Sequence, residues 1–216
     1  MRVIAGQARG RPLVGPTRTH TRPTSDKVKG ALFSMLENLL AAKIPGRRSD
    51  DEGVRELGSL ELWEGLGVLD LYAGTGALGI EALSRGAAGC DFVESSAAAR
   101  RIILRNLEVT NLAEVGHVIG LTVEKVVREG SQSLRYAPYA VVLLDPPYSD
   151  QAVGTVVDTL AHSDLLMKGA LVAVEHSRRL DLANRYTDLA EVCERRHGDT
   201  VLSIYRQEPL SDAEQE

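Results

Sequence analysis

Cysteine is scarce in this sequence, and long apolar runs are missing. Only Cys90 and Cys193 occur among 216 residues, too few and too far apart for a disulfide framework or a cysteine-rich metal site. No stretch is long and apolar enough to cross a membrane, and the N-terminal residues lack the apolar core of a signal peptide. We therefore expect a cytoplasmic protein with reduced thiols, no metal and no membrane contact.

Two catalytic signatures are also missing. The chain has neither the glycine-rich phosphate loop that ends in lysine and a hydroxyl residue nor the Gly-x-Ser-x-Gly nucleophile turn. These absences argue against a P-loop nucleotidase and against an α/β-hydrolase.

Positive charge is concentrated at the N-terminus, although the net charge of the whole chain is −5. Residues 1–48 hold ten basic and two acidic residues, whereas the remaining residues hold 15 basic and 28 acidic ones. This asymmetry is typical of an N-terminal part that contacts a polyanion. A solvated basic face explains the charge alone equally well.

Alternating strands and helices organise the chain from residue 68 onward. The alternation predicts a doubly wound α/β fold with a mostly parallel sheet and helices on both faces. The last two strands are joined by only His197-Gly198-Asp199, so they must pair antiparallel. We expect strands over 68–72, 89–94, 117–121, 140–144, 170–175, 189–197 and 199–206, and helices up to about 40 and over 77–85, 96–110, 123–134, 151–162 and 179–184.

The domain organisation follows from composition. Residues 1–23 contain two β-prone runs around a turn rich in glycine and arginine, which predicts a basic N-terminal β-hairpin arm. The main domain covers 24–208 and includes a variable insertion over 43–62. Residues 209–216 form a polar, flexible tail.

A glycine-rich turn follows the first strand of the main domain. The pattern Gly74-x-Gly76-x-x-Gly79 lets the backbone approach a ligand at the start of a helix, as in nucleotide-type cofactor sites. Glu94 follows 20 residues after Gly74, where a carboxylate can bind ribose hydroxyls. Asp70, just before the turn, would repel a pyrophosphate but suits a cation, which favours the sulfonium of S-adenosylmethionine over a dinucleotide.

The second motif is Asp145-Pro146-Pro147-Tyr148, after a buried strand. The prolines remove two N–H donors, which leaves the Asp145 carboxylate and the Pro146 carbonyl as acceptors beside an aromatic ring. An exocyclic amine on a nucleobase offers two N–H groups and a face for stacking. The loop therefore indicates an amine on a planar base as substrate. Polar residues end five predicted strands at one edge of the sheet, namely Asp70, Glu94, Thr122, Asp145 and Glu175.

Four motifs in order resemble the RsmD family of bacterial 16S ribosomal RNA guanine-N2 methyltransferases. They are Arg2-Val3-Ile4-x-Gly6-Gln7-x-Arg9-Gly10-Arg11, Arg22-Pro23-Thr24-Ser25-Asp26-Lys27-Val28, the stretch from Asp70 to Gly79, and Asp145-Pro146-Pro147-Tyr148. The resemblance covers the chain from Arg2 to about Arg206. It implies a Rossmann-like class I methyltransferase fold with strand order 3-2-1-4-5-7-6.

The resemblance also implies roles for individual residues. Catalysis falls to Asp145, Pro146, Pro147 and Tyr148, and S-adenosylmethionine binding to Asp70, Tyr72, Gly74, Gly76, Glu94, Ser95 and Thr122. RNA contacts fall to Arg9, Arg11, Arg22, Lys27 and Lys29. The expected partner is 16S ribosomal RNA or an assembling small ribosomal subunit, bound by a monomer. Three features depart from the family pattern, namely Ser95 and Ser96 in place of an acid after Glu94, Thr122 in place of Asp or Asn, and the insertion over 43–62.

Alternative functions remain open at this point. Another amine, such as adenine N6 or a protein glutamine amide, fits the Asp145 loop. An NAD-dependent oxidoreductase fits the glycine pattern but gives the Asp145 loop no role. A non-catalytic RNA-binding module fits the basic N-terminus but leaves both site motifs without a use.

Overall fold

The computed structural model describes residues 1–15, 25–42, 58–147, 150 and 152–208. Within them one eight-stranded sheet has the order β3-β2-β1-β4-β5-β8-β7-β6. The five strands from β3 to β5 run parallel, and β8, β7 and β6 join them antiparallel. The strands are β1 (Gly67–Leu71), β2 (Gly89–Val93), β3 (Gly116–Ile119), β4 (Tyr139–Leu144), β5 (Leu166–Ser177), β6 (Arg185–Tyr186), β7 (Leu189–His197) and β8 (Thr200–Gln207).

Six α-helices accompany these strands in the described residues. They are α1 (Asp26–Ala41), α2 (Ser59–Trp63), α3 (Ala77–Ser84), α4 (Ala97–Thr110), α5 (Val123–Glu129) and α6 (Val153–Ala161), and a 3₁₀ turn, Gly130–Ser133, extends α5. Apolar residues of α1, α3 and α4 pack on one face of the sheet, and those of α5 and α6 pack on the other. Strand β1 serves both layers, because Val68 faces the first and Leu69 and Leu71 face the second.

The predicted doubly wound fold is confirmed, with one addition and one error. The seven expected strands take the order 3-2-1-4-5-7-6, and the two-residue β6 adds an eighth at the edge. The helix expected over 179–184 is wrong, since the chain there runs through a turn into β6. The Ala183 backbone instead bonds to two tyrosine hydroxyls. The Ala183 N–H donates to Tyr186 at 2.9 Å, and the Ala183 carbonyl accepts from Tyr205 at 3.0 Å.

The N-terminal segment is packed against the domain. A single antiparallel bridge, between Arg2 and Pro12, stands where a hairpin was expected. Val3, Ala8 and Leu13 are buried in the core layer that holds α3 and α4. Residues 16–24, the second part of the predicted arm, lie outside the described residues. The described part is therefore continuous with the domain core.

A buried charge network fastens this segment to α3. The Glu81 carboxylate accepts from the backbone N–H groups of Ile4 and Ala5 at 2.8 and 3.0 Å. The same carboxylate pairs with Lys29 at 3.0 Å and with Arg85 at 3.0 Å, and all three side chains are almost fully buried. Buried charges persist only when they are paired and hydrogen-bonded, so this network fixes where the segment, α1 and α3 meet.

The expected phosphate contact by Lys29 is therefore wrong. Its side chain is fully buried, and its ammonium group pairs with Glu81 and donates to the Arg2 carbonyl at 2.8 Å. Lys29 falls on the buried face of α1, with Leu32, Phe33 and Leu36. An ammonium group enclosed in this way cannot reach an RNA backbone.

Part of the insertion predicted over 43–62 is ordered. Residues 43–57 lie outside the described part, but α2 begins at Ser59 and brings Trp63 into the core. The Trp63 indole donates to Glu37 at 3.2 Å and its ring centroid lies 5.5 Å from that of Phe33. Cys90 and Cys193 are free thiols, and none of the described helices is long and apolar enough to span a membrane.

Candidate active site

Three carboxylates meet at the carboxyl edge of the parallel strands. Leu71 is in register with Val93 on one side and with Leu144 on the other, so Glu94 and Asp145 leave the sheet beside the end of β1. Asp70 lies on β1 itself and is almost fully buried. The predicted convergence of these residues is present in the structure.

Burial raises the pKa of Asp70 to about 8, against an ordinary value of 3.8. The bond from the Gly79 N–H, 2.8 Å long, works against this shift. The negative charges of Asp145 and Glu94 raise the pKa further. The carboxylates of Asp145 and Glu94 thus add a negative potential at Asp70, which favours the arrival of a cation.

The glycine turn has the conformation that its sequence requires. Gly74 and Gly76 have φ angles of 56° and 76°, in the left-handed region that glycine adopts without steric cost. A Cβ on Gly79 would lie 2.4 Å from the Phe92 ring, so this glycine permits close packing of α3 on β2. A Cβ on Gly74 would meet only the Tyr72 carbonyl, at 3.8 Å, so the backbone there is open to a ligand.

Glu94 supports this turn. One carboxylate oxygen accepts from the Gly74 N–H at 2.9 Å, and the other accepts from the Ser96 N–H at 2.7 Å. Each oxygen has a second lone pair, which leaves capacity for the hydroxyl groups of a ribose. Ser95 is exposed beside it.

Tyr72 has a strained backbone and a buried hydroxyl. Its φ angle is 59°, which is uncommon for a bulky residue and clusters at functional sites. The hydroxyl makes no hydrogen bond of normal geometry within the described residues. Burial, together with the nearby Asp150 carboxylate, raises the pKa of Tyr72 well above its ordinary value.

The Asp145 loop leaves the sheet between these groups. Asp145 is half-buried, Pro146 is buried and Pro147 is exposed. The loop closes through a bond of 2.8 Å from the Asp150 N–H to the Pro147 carbonyl. Tyr148 lies outside the described residues.

Thr122 has a different local role. Its hydroxyl caps α5 by accepting from the Lys125 N–H at 3.4 Å, and the residue is exposed. A contact between Thr122 and a cofactor stays a prediction.

The basic residues predicted to bind RNA differ in exposure. Arg9 and Lys27 are exposed and line one groove of about 400 Å³ together with Arg2. Arg11 is exposed, and its guanidinium donates to the Val109 carbonyl of α4 at 2.5 Å. Arg22 lies outside the described residues, and Lys29 is buried.

One residue beside the glycine turn escaped the sequence analysis. Asn106 on α4 is fully buried and donates to the Thr75 carbonyl at 2.9 Å. A signal was available, because Asn106 occupies the buried face of α4 with Ile103, Leu107 and Thr110. A polar residue on an apolar helical stripe requires a specific partner.

Comparisons with known proteins agree with this geometry. The family model described as conserved hypothetical protein 95 matches residues 1–206. A putative rRNA methyltransferase, YlbH of Bacillus subtilis, is 30% identical over 206 residues, which are 95% of this chain and 98% of that protein. The ribosomal RNA small subunit methyltransferase D of Escherichia coli is 26% identical over 214 residues, 99% of this chain and 93% of that protein.

A solved structure has the same fold over nearly the whole chain. It is described as the putative methyltransferase yhhF from Escherichia coli, and it matches with a TM-score of 0.74 and 26% identity over 96% of this chain and 98% of that one. The sheet order is therefore that of a methyltransferase fold.

Proposed function

Because this chain belongs to the RsmD family of ribosomal RNA methyltransferases, we propose that it methylates the exocyclic N2 of a guanine in 16S ribosomal RNA. The methyl donor is S-adenosylmethionine. The observation that carries the proposal is the placement of the Asp145-Pro146 acceptors beside the glycine turn, at the edge where β1 and β4 end. The substrate is 16S ribosomal RNA or an assembling small subunit, and the enzyme acts as a monomer in the cytoplasm.

The residues at this edge fit the methyl donor. The open face of Gly74 gives room for a ligand, and the lone pairs of Glu94 suit ribose hydroxyls. The negative field around Asp70 suits an amino group and a positive sulfur. The Tyr72 hydroxyl, which lies near the Asp150 carboxylate, offers a further donor. When bound, S-adenosylmethionine supplies a methyl group on a positively charged sulfur.

The chain's contribution to chemistry is to orient a weak nucleophile. The N2 lone pair of guanine is delocalised into the ring, so the amine is a poor nucleophile. The Asp145 carboxylate and the Pro146 carbonyl accept its two N–H bonds and favour a pyramidal nitrogen. Tyr148 stacks on the base, and the stiff proline loop holds this geometry.

RNA binding falls to the exposed cations of the N-terminal part. Arg9 and Lys27 share one groove, and Arg11 lies at the end of α4. Arg22 precedes α1 in the sequence and completes the proposed set. Phosphate contacts of this kind make affinity strongly dependent on salt.

The proposal is tested by methylation of unmodified substrate. The purified protein is incubated with labelled S-adenosylmethionine and either 16S RNA or small subunits from a strain that lacks the orthologous enzyme. We expect one N2-methylguanine, located by mass mapping. Label in adenine or in protein would refute the assignment, and no label in either substrate would refute RNA methylation itself.

A further inference from the structure

The carboxamide of Asn106 joins two parts of the molecule that the proposed reaction requires. Its Nδ2 donates to the Thr75 carbonyl at 2.9 Å and to the Val14 carbonyl at 3.1 Å. Its Oδ1 accepts from the Val14 N–H at 2.7 Å. Both donors and the acceptor are thus occupied, and the residue is fully buried.

The first part is the glycine turn. Thr75 stands between Gly74 and Gly76, and the Gly79 N–H, four residues later, donates to Asp70 and not to the Thr75 carbonyl. Glu94 holds the Gly74 N–H and Asn106 holds the Thr75 carbonyl. Two side chains from outside the turn therefore set the orientation of its peptide groups.

The second part is the N-terminal segment, residues 1–14. Asn106 holds Val14, the end of this segment, through both of its backbone polar groups. Its beginning is fixed to α3, where Ser84 accepts from the Ala8 N–H at 2.9 Å and Glu81 accepts from Ile4 and Ala5. The segment that carries Arg9 and Arg11 is thus attached to both helices that flank the glycine turn.

We propose that Asn106 is a positioning residue that couples RNA binding by the N-terminal segment to cofactor binding in the glycine turn. The inference rests on the proposed function, because RNA is the ligand assigned to the segment. A ligand that restrains residues 1–14 also restrains Asn106 and, through it, the Thr75 carbonyl. Because the segment and the turn share Asn106, a ligand that fixes one favours the bound arrangement of the other, so each ligand strengthens the binding of the other.

Calorimetry of S-adenosylhomocysteine binding, with and without a saturating 16S RNA fragment, tests the coupling. For the unaltered protein we expect RNA to tighten binding about fivefold or more. Asn106→Ala should weaken binding about tenfold without RNA, as expected for loss of a buried hydrogen bond to the turn, and should abolish the RNA effect. Asn106→Asp should behave similarly, because its carboxylate faces two carbonyl groups.

Two further variants separate coupling from simple destabilisation. Val14→Pro removes the N–H that the Asn106 Oδ1 accepts and places the proline ring against that oxygen, at an exposed position. It should therefore push Val14 away from Asn106, keep the affinity for S-adenosylhomocysteine and lose the RNA effect. Thr110→Val removes a hydroxyl bond within α4 and should keep both. Thermal melting confirms that each variant is folded.

Two outcomes overturn the inference. One is an RNA effect of less than twofold on the unaltered protein, and the other is an RNA effect that survives in Val14→Pro. Neither outcome affects the proposed function, which fails if the methyl group enters adenine or protein or if no methyl group enters the RNA.

Discussion

Asp70→Asn should make the free protein more stable while it abolishes cofactor binding. The folded state raises the pKa of this carboxyl from 3.8 to about 8. The folded chain therefore binds a proton between about pH 4 and pH 8 that the unfolded chain releases. Stability contributed by this group falls as pH rises through that window. An amide does not titrate, yet its oxygen still accepts from the Gly79 N–H.

The magnitude follows from the size of the shift. In the unfolded chain the Asp70 carboxyl is ionised at pH 7, about three pH units above its pKa. Each unit favours the ionised form by about 1.4 kcal/mol. The folded carboxyl gains almost nothing from ionisation at that pH. Asp70→Asn should therefore raise the free energy of unfolding by up to about 4 kcal/mol at pH 7, and by close to nothing at pH 4.

Urea unfolding between pH 4.5 and pH 8 measures this difference. The gap between variant and unaltered protein should widen steadily with pH. Asp158→Asn, which removes an exposed carboxylate on α6, controls for the change in net charge. Parallel stability curves for Asp70→Asn and the unaltered protein would refute the reasoning. Binding of S-adenosylmethionine at unaltered affinity would refute it as well, because a bound cation favours ionisation of Asp70, which the amide cannot undergo.

Three further predictions address the rest of the site. Asp145→Ala should lower kcat by at least about 10²-fold, because orientation of the amine is lost, while S-adenosylhomocysteine affinity changes little; near-normal turnover would contradict the role. The double variant Arg9→Glu with Lys27→Glu should weaken RNA binding at least tenfold and lower the slope of its salt dependence by the equivalent of about two phosphate contacts. Arg128→Glu, at an exposed position of α5, should change neither. Unchanged affinity of the double variant would refute RNA binding in this groove. Gly79→Ala should destabilise the fold by about 1–3 kcal/mol through its clash with Phe92. Gly74→Ala meets no clash but is strained at its φ of 56°, so it should cost about 1 kcal/mol and also weaken cofactor binding. Thermal melts and calorimetry would contradict this if Gly74→Ala were the less stable variant or left cofactor affinity unchanged.

The strand and helix pattern determined most of the fold. Apolar runs such as Val141–Leu144 and the glycine turn after Val68 are local signals, and the structure has strands and a turn there. The edge at which Asp70, Glu94 and Asp145 meet follows from parallel topology, so it was predictable too. The helix over 179–184 failed where the Ala183 backbone bonds to Tyr186 and Tyr205, and such tertiary partners leave no local pattern.

Lys29 shows a different kind of error. Lys27 and Lys29 are close together in a basic stretch, but residues two positions apart in sequence lie about 200° apart around a helix. The spacing of Lys29 to Leu32, Phe33 and Leu36 already assigned it to the buried face. Its partner, Glu81, lies on another helix and was not predictable from any local pattern.

The buried pairings explain how a positively charged N-terminus can belong to the catalytic domain. Of the N-terminal cations, Lys29 is neutralised by Glu81 inside the protein, so it contributes to the position of the segment. Arg9 and Lys27 remain exposed to solvent and face the same groove. The positive charge of the N-terminus thus has two uses that sequence alone does not separate. Lys29 holds the segment on α3, whereas Arg9 and Lys27 are exposed where phosphate can bind. Removing Glu81 should therefore weaken RNA binding through misplacement of the segment, whose Ile4 and Ala5 N–H groups lose their acceptor.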